Sequence, residues 1–165
     1  MSSAAIIRPR STLPRGRSNT SGARSVRNIV ADTGPLVALF RRRDHQHARV
    51  VRFLRENPCL LVTTWPVLTE AWHLLSSPAR INFVRWVVAG GAVVIDISPG
   101  HGPVMLALLE KYSDRPMDLA DASLVMLADQ TGIHEILTID RADFDTYRLK
   151  GGRRFVQVLR NGTSQ

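Results

Sequence analysis

Asn28–Phe40 reads "NIVADTGPLVALF". Its first five residues are a short apolar run closed by an acid, the pattern of a buried strand. "TGPLVALF" then opens a helix, with Pro35 in the first turn, where a missing N–H costs least. A strand that passes directly into a helix leaves no room for a hairpin, so the next strand must come back by a crossover.

The same alternation continues outward. "HQHARVVRFLREN" reads as a helix that Asp44 can cap and Pro58 ends. "CLLVT" is a second strand, and Thr64 is placed to cap "WPVLTEAWHLLSS". "PARINFVRWVVAGG" is a further helix stopped by two glycines. "AVVIDI" is the third strand, followed by the helix "GPVMLALLEKYSD". Another helix begins in "PMDLADASLVMLAD" and ends near Gly132. "EILTI" and "RFVQVL" supply a fourth and a fifth strand. Strands alternating with helices, with no hairpin signal between them, predict a parallel sheet covered by helices on both faces. Such sheets carry their sites beyond the carboxyl ends of the strands.

A chain of 165 residues at 44% hydrophobic is expected to form one domain with a sizeable core. Ten residues are aromatic, so aliphatic side chains supply most of that core, and Trp65, Trp72 and Trp86 are expected within it. The net charge is +8, yet residues 1–28 hold six arginines and no acid, which leaves the rest near +2. Residues 1–27 are therefore read as a disordered basic tail, either an extension or an over-long start, although their Arg- and Ser-rich make-up is also that of a transit peptide. The domain is expected over 28–160 and a flexible end over 161–165. A single cysteine, Cys59, excludes an intrachain disulfide and fits a reducing cytoplasm. No run reaches the ~20 apolar residues that span a bilayer.

Several acids fall where the fold would gather them. Asp32 closes the first strand and Asp140 follows the fourth, so both belong to one edge. Asp118 and Asp121 open a helix, and Glu70 lies beside the apolar face of the helix that follows the second strand. Each has an ordinary explanation alone: Asp118 as an N-cap, Asp121 as a carboxylate favouring the helix dipole, Asp32 and Asp140 as turn residues, Glu70 as a solvated position. Together they are harder to dismiss. Two carboxylates ~4 Å apart repel by about 4 kcal/mol at an effective dielectric near 20, whereas a cap contributes ~1 kcal/mol. A divalent cation can hold such a group together. Oxygen ligands without histidine or cysteine point to Mg²⁺ or Mn²⁺.

Four motifs in this order, "IVADTGPLVALF", "LTEAWHLL", "MDLADASLVMLAD" and "ILTIDRADF", resemble those of PIN-domain ribonucleases, including the VapC toxins of toxin–antitoxin pairs. The resemblance covers roughly residues 28–159. It implies a PIN-like three-layer α/β/α sandwich with strand order 3-2-1-4-5 and a Mg²⁺-dependent endoribonuclease site that leaves a 5′-phosphate and a 3′-hydroxyl. It places the family acids on Asp32, Glu70, Asp121 and Asp140, with Asp118 as an additional acid that caps the helix or joins the metal site. Asp143 sits one residue further from Asp140 than is usual in the family and is the poorer candidate. The resemblance also implies an RNA substrate, a cognate antitoxin and a homodimer. Thr33 and Thr138 are polar support, either for water and phosphate or as turn residues. Arg41, Arg42, Arg43, Arg115 and Arg141 are candidate phosphate contacts, with a solvated helix end as the plain alternative for the triple arginine.

Two other readings compete. One is a PIN-fold RNA-processing nuclease without an antitoxin; the other is an inactive RNA-binding module, which intact acids at all four positions argue against. A phosphoryl-accepting receiver needs paired acids after the first strand and a lysine after the fifth, and here Asp32 stands alone.

Overall fold

The computed structural model describes residues 26–115 and 117–159. The expected basic tail and flexible end lie almost wholly outside them, as does Pro116. Five strands form one sheet: β1 (Arg27–Ala31), β2 (Cys59–Thr64), β3 (Val93–Ile95), β4 (Glu135–Leu137) and β5 (Val156–Gln157). Their order is β3-β2-β1-β4-β5, and every pairing is parallel. The expected α/β architecture and strand order are both present.

Between β1 and β2 run α1 (Thr33–Phe40) and α2 (His47–Glu56); between β2 and β3, α3 (Trp65–Leu74) and α4 (Ser77–Val88). Next come α5 (Gly102–Lys111) and α6 (Leu119–Thr131), and α7 (Arg141–Thr146) separates β4 from β5. The central strand is nearly all interior: Ile29, Val30 and Ala31 are fully buried, as expected of a parallel sheet covered on both faces. Helix α6 is buried from Ala122 through Ala128 and packs on β2, α3 and α5. A helix apolar around most of its circumference belongs inside, and its amino end is thereby fixed against the sheet edge. Gly132, at φ 75°, ends α6 in the left-handed conformation that favours glycine.

Because β2 and β3 extend the sheet on one side of β1 while β4 and β5 extend it on the other, the order in which strands are added reverses beside β1. That gap is the topological switch point, where open parallel sheets form their crevices. Asp32 and Thr138 leave the sheet on its two sides, joined by the bond from Asp32 N–H to the Leu137 carbonyl (3.1 Å).

Several local expectations need correction. Asp44 does not cap α2; Gln46 stands at the cap position without a side-chain cap bond, and Asp44 Oδ1 instead accepts the Gln46 N–H at 2.9 Å in a turn. Thr64 stands at the cap position of α3 without a side-chain cap bond, because its hydroxyl is engaged by Ser123 Oγ at 2.6 Å. The last three strands are two or three residues long, shorter than their apolar runs. Helix α7 was not foreseen, since six residues of "RADFDT" show too little periodicity to declare a helix.

Candidate active site

Asp32 is the centre of the site. Its backbone leaves β1 and its side chain caps α1, Oδ1 accepting the Thr33 N–H at 2.6 Å. Oδ2 accepts the Thr138 hydroxyl at 2.7 Å. Only 8% of the residue is exposed. Burial pushes the carboxyl up to about 6, and like charge from Glu70 and Asp140 adds to the rise, against the stabilising bonds from Thr138 and Thr33.

Each remaining acid arrives on a different element. Glu70, in the second turn of α3, accepts the Thr33 hydroxyl through Oε2 at 2.5 Å. Thr33 thus serves two acids, one through its N–H and one through its hydroxyl. Asp118 is the N-cap of α6, accepting the Asp121 N–H at 2.9 Å. Asp121, one turn in, receives the Tyr147 hydroxyl on Oδ2 at 2.9 Å. Its carboxyl is pushed up to about 7, first by burial and then by the charges of Asp118, Asp32 and Asp143, while the Tyr147 bond opposes the rise. Asp140 caps α7 by accepting the Asp143 N–H at 3.2 Å, and its own N–H donates to Thr138 Oγ1 at 3.0 Å.

The four predicted acids therefore meet at one edge, with Asp32 pressed by Glu70 and Asp140 and pressing on Asp121. Asp118 caps its helix and also adds charge to Asp121. Both threonines spend their hydroxyls on acids, Thr33 on Glu70 and Thr138 on Asp32. Asp143, discounted on spacing, is electrostatically part of the group: burial and the charges of Asp140 and Asp118 raise its carboxyl, and Arg115 opposes them. Sequence reading missed Tyr147 altogether. Its signal was only a tyrosine after a short polar segment, with nothing to say where the hydroxyl would land.

The arginines are less gathered. Arg115 lies near Asp143. Arg141 turns its guanidinium to the Leu159 carbonyl at 3.5 Å, where Arg49 also binds. Arg41 binds the Leu74 carbonyl at the end of α3, and Arg42 and Arg43 are exposed. Of the tryptophans, Trp86 packs with Phe40 and Phe83, and Trp72 is half-buried beneath Arg80. Trp65 departs from expectation: it is 57% exposed at the first residue of α3.

The donor set suits a hard divalent cation, being carboxylate oxygens with no histidine or thiol among them. No ion pair neutralises Asp32, Glu70, Asp121 or Asp140 among the described residues. Also among the described residues, no three Asp, Glu, His or Cys side chains stand close enough to form a ready chelate. The expected metal-binding group of Asp32, Glu70, Asp121 and Asp140 is thus gathered at one edge without being closed into a chelate. Hydrogen bonds from Thr33, Thr138 and Tyr147 hold these acids in place, and their mutual repulsion opposes closer approach. Mg²⁺ tolerates this, because it keeps several waters and takes one or two carboxylates together with substrate phosphate oxygens.

Fold and site together define an α/β domain with a group of acids at the switch point of a parallel sheet, with no ion-paired base among the described residues. The PIN domain model matches residues 29–149, and the chain belongs to the PIN domain family. It is 28% identical over 134 residues to Ribonuclease VapC26 of Mycobacterium tuberculosis, covering 79% of this chain and 99% of that protein. Its fold is similar to the crystal structure of Mycobacterium tuberculosis VapC20, described as a sarcin-ricin loop cleaving toxin. The TM-score is 0.63 and the identity 21%, over 68% of this chain and 89% of that one. The chain is thus a VapC-like member of the family.

Proposed function

We propose that this protein is a metal-dependent endoribonuclease that hydrolyses RNA phosphodiesters at the carboxyl edge of its sheet, acting as the toxin of a toxin–antitoxin pair. The observation that carries the reading is the meeting of Asp32, Glu70, Asp121 and Asp140 around a buried, like-charged centre with no cationic side chain paired to them among the described residues. The names of VapC26 and VapC20 support the substrate class and the toxin role.

Asp32 and Asp121 would hold Mg²⁺, with Glu70 and Asp140 beside them and Asp118 and Asp143 adding to the field. When bound, the ion polarises water and neutralises charge developing on the phosphoryl group. The chain's own residues prepare that event. Thr33 and Thr138 fix the rotamers of Glu70 and Asp32, so the carboxylates need no reorganisation when a cation arrives. Arg115, which acts on Asp143, is the best placed of the five arginines to meet substrate phosphates; such contacts position RNA without choosing sequence. Without a cation the raised carboxyls retain protons near neutral pH, so cation binding displaces them.

Pairing of two copies is part of the same proposal. The exposed apolar residues Ile81, Val84 and Val88 recur along α4 at helical spacing and supply a surface for it. Among the described residues, no helix is long and apolar enough to cross a membrane.

The test is cleavage of structured RNA by the purified full chain, with Mg²⁺ and with a chelator. Cutting that needs Mg²⁺ and disappears in Asp32→Asn and Asp121→Asn is the expected result. Undiminished cutting in either variant removes the mechanism. Rescue of growth by a co-expressed small protein from a neighbouring gene separates a toxin from an RNA-processing nuclease.

A further inference from the structure

Tyr147 is fully buried, yet its hydroxyl does not end in the core. The ring packs edge-to-face on Tyr112, with centroids 5.1 Å apart, and on Phe144 at 5.4 Å. Close packing on two sides fixes the ring plane and hence the position of the hydroxyl. That hydroxyl donates to Asp121 Oδ2 at 2.9 Å. No hydrogen bond reaches Asp121 Oδ1 from the described residues, which leaves that oxygen available to a ligand.

The backbone position matters as much. Asp140 caps one end of α7 and Tyr147 caps the other, its N–H bonded to the Asp143 carbonyl at 3.0 Å. The short helix is therefore a strut. It bears one acid of the site on its amino end and, through the phenol on its carboxyl end, fastens a second acid on α6. Burial and the neighbouring Asp121 raise the phenol well above its ordinary value, so the group stays a donor throughout the working range.

We propose that Tyr147 is a positioning residue: its hydroxyl holds one oxygen of Asp121 so that the other faces an incoming divalent cation, and it sets the spacing between the α6 and α7 acids. This rests on the reading of the acidic edge as a cation site. Outer partners of this kind orient a ligating carboxylate, and their loss commonly weakens metal binding about 10- to 100-fold. Tyr112 provides an internal control. It too is a buried tyrosine with a bonded hydroxyl, but its oxygen accepts the Arg148 N–H at 2.9 Å and makes no hydrogen bond to an acid among the described residues.

The experiment is calorimetric titration of the metal-free full chain with Mn²⁺, for wild type, Tyr147→Phe and Tyr112→Phe, with melting curves taken in the absence of metal. The expected result is Mn²⁺ affinity lowered about 10- to 100-fold in Tyr147→Phe and changed less than about twofold in Tyr112→Phe. Affinity in Tyr147→Phe within about twofold of wild type overturns the assignment, as does an equal loss in both variants. If the wild type itself takes up no Mn²⁺, the cation-site reading fails first and this inference with it. Should Tyr147→Phe not fold, the wild type decides. With ¹³C-labelled tyrosine ring carbons, the Tyr147 Cζ resonance should shift as Mg²⁺ is added while that of Tyr112 stays put. A Tyr147 signal unmoved through Mg²⁺ saturation contradicts the proposal.

Discussion

Strands β1 and β4 lie side by side, and their two ends are treated in opposite ways. At the amino edge, Arg27 and Glu135 face each other across the pair, and the guanidinium Nη2 meets the carboxylate at 2.5 Å. At the carboxyl edge of the same two strands, Asp32 and Asp140 have no basic ion-pair partner among the described residues, and their carboxylates accept only the Thr138 hydroxyl and the Thr33 and Asp143 N–H groups. One end settles its charge internally and in solvent. The other brings like-charged carboxyls together at a cost that raises two of them, Asp32 and Asp121, well above the ordinary aspartate value, and under the proposed function a cation completes it. Stability and function are thus separated by the length of a strand.

The largest effect should come from removing an acid at the carboxyl edge. Asp32→Asn or Asp121→Asn should lower RNA cleavage by more than about 100-fold, beyond the loss typical of an outer-shell partner. Cleavage rates at saturating Mg²⁺ check this.

The next effect is on stability and has an unusual sign. Asp32 and Asp121 are held near 6 and 7, above the ~4 of an unfolded aspartate. Between those values the folded, metal-free chain binds more protons than the unfolded one. Its stability from these groups is complete below about pH 4 and falls as pH rises through 6 to 7. Melting should therefore be easier at pH 8 than at pH 5 without metal. Mg²⁺ should raise the melting temperature more at pH 8 than at pH 5. For Asp32 alone the shift corresponds to on the order of 2–3 kcal/mol, so metal-free Asp32→Asn should be more stable than wild type at pH 8. Thermal melts at the two pH values decide the matter; a metal-free protein hardest to melt at pH 8 would break the contrast between the edges.

Thr138→Val should fall between the extremes. It removes the hydroxyl from Asp32 and the acceptor from the Asp140 N–H, at about 1–3 kcal/mol, and should weaken Mg²⁺ binding with it. Chemical denaturation and calorimetry report the two consequences. The smallest effect belongs to the amino edge. Arg27→Ala should cost less than about 1 kcal/mol, since the pair is largely open to water, and should leave cleavage unchanged.

How much of this was legible in the sequence follows the same division between pattern and distance. Strands followed at once by helices, as in Asn28–Phe40, fix the parallel class because periodicity is local. The strand order 3-2-1-4-5 came from resemblance, since nothing local says which strands pair. Asp32 and Asp140 could be assigned to one edge because each follows a strand. Glu70 could be placed only near the apolar face of its helix, and its bond to Thr33 depends on how α1 and α3 pack. Thr64 read as a cap because threonine before a helix usually is one; its partner Ser123 is 59 residues away. Tyr147 was invisible for the same reason, 26 residues from Asp121. Asp143 was set aside on spacing, and an unforeseen turn of helix brought it back.

The most direct test of an edge folded with unpaired negative charge is Mg²⁺ affinity measured against pH on the metal-free chain. Binding should strengthen from pH 5.5 to pH 8 as Asp32 and Asp121 give up their protons, and Asp32→Asn should abolish it. Affinity that is flat with pH, or that survives in Asp32→Asn, contradicts the account.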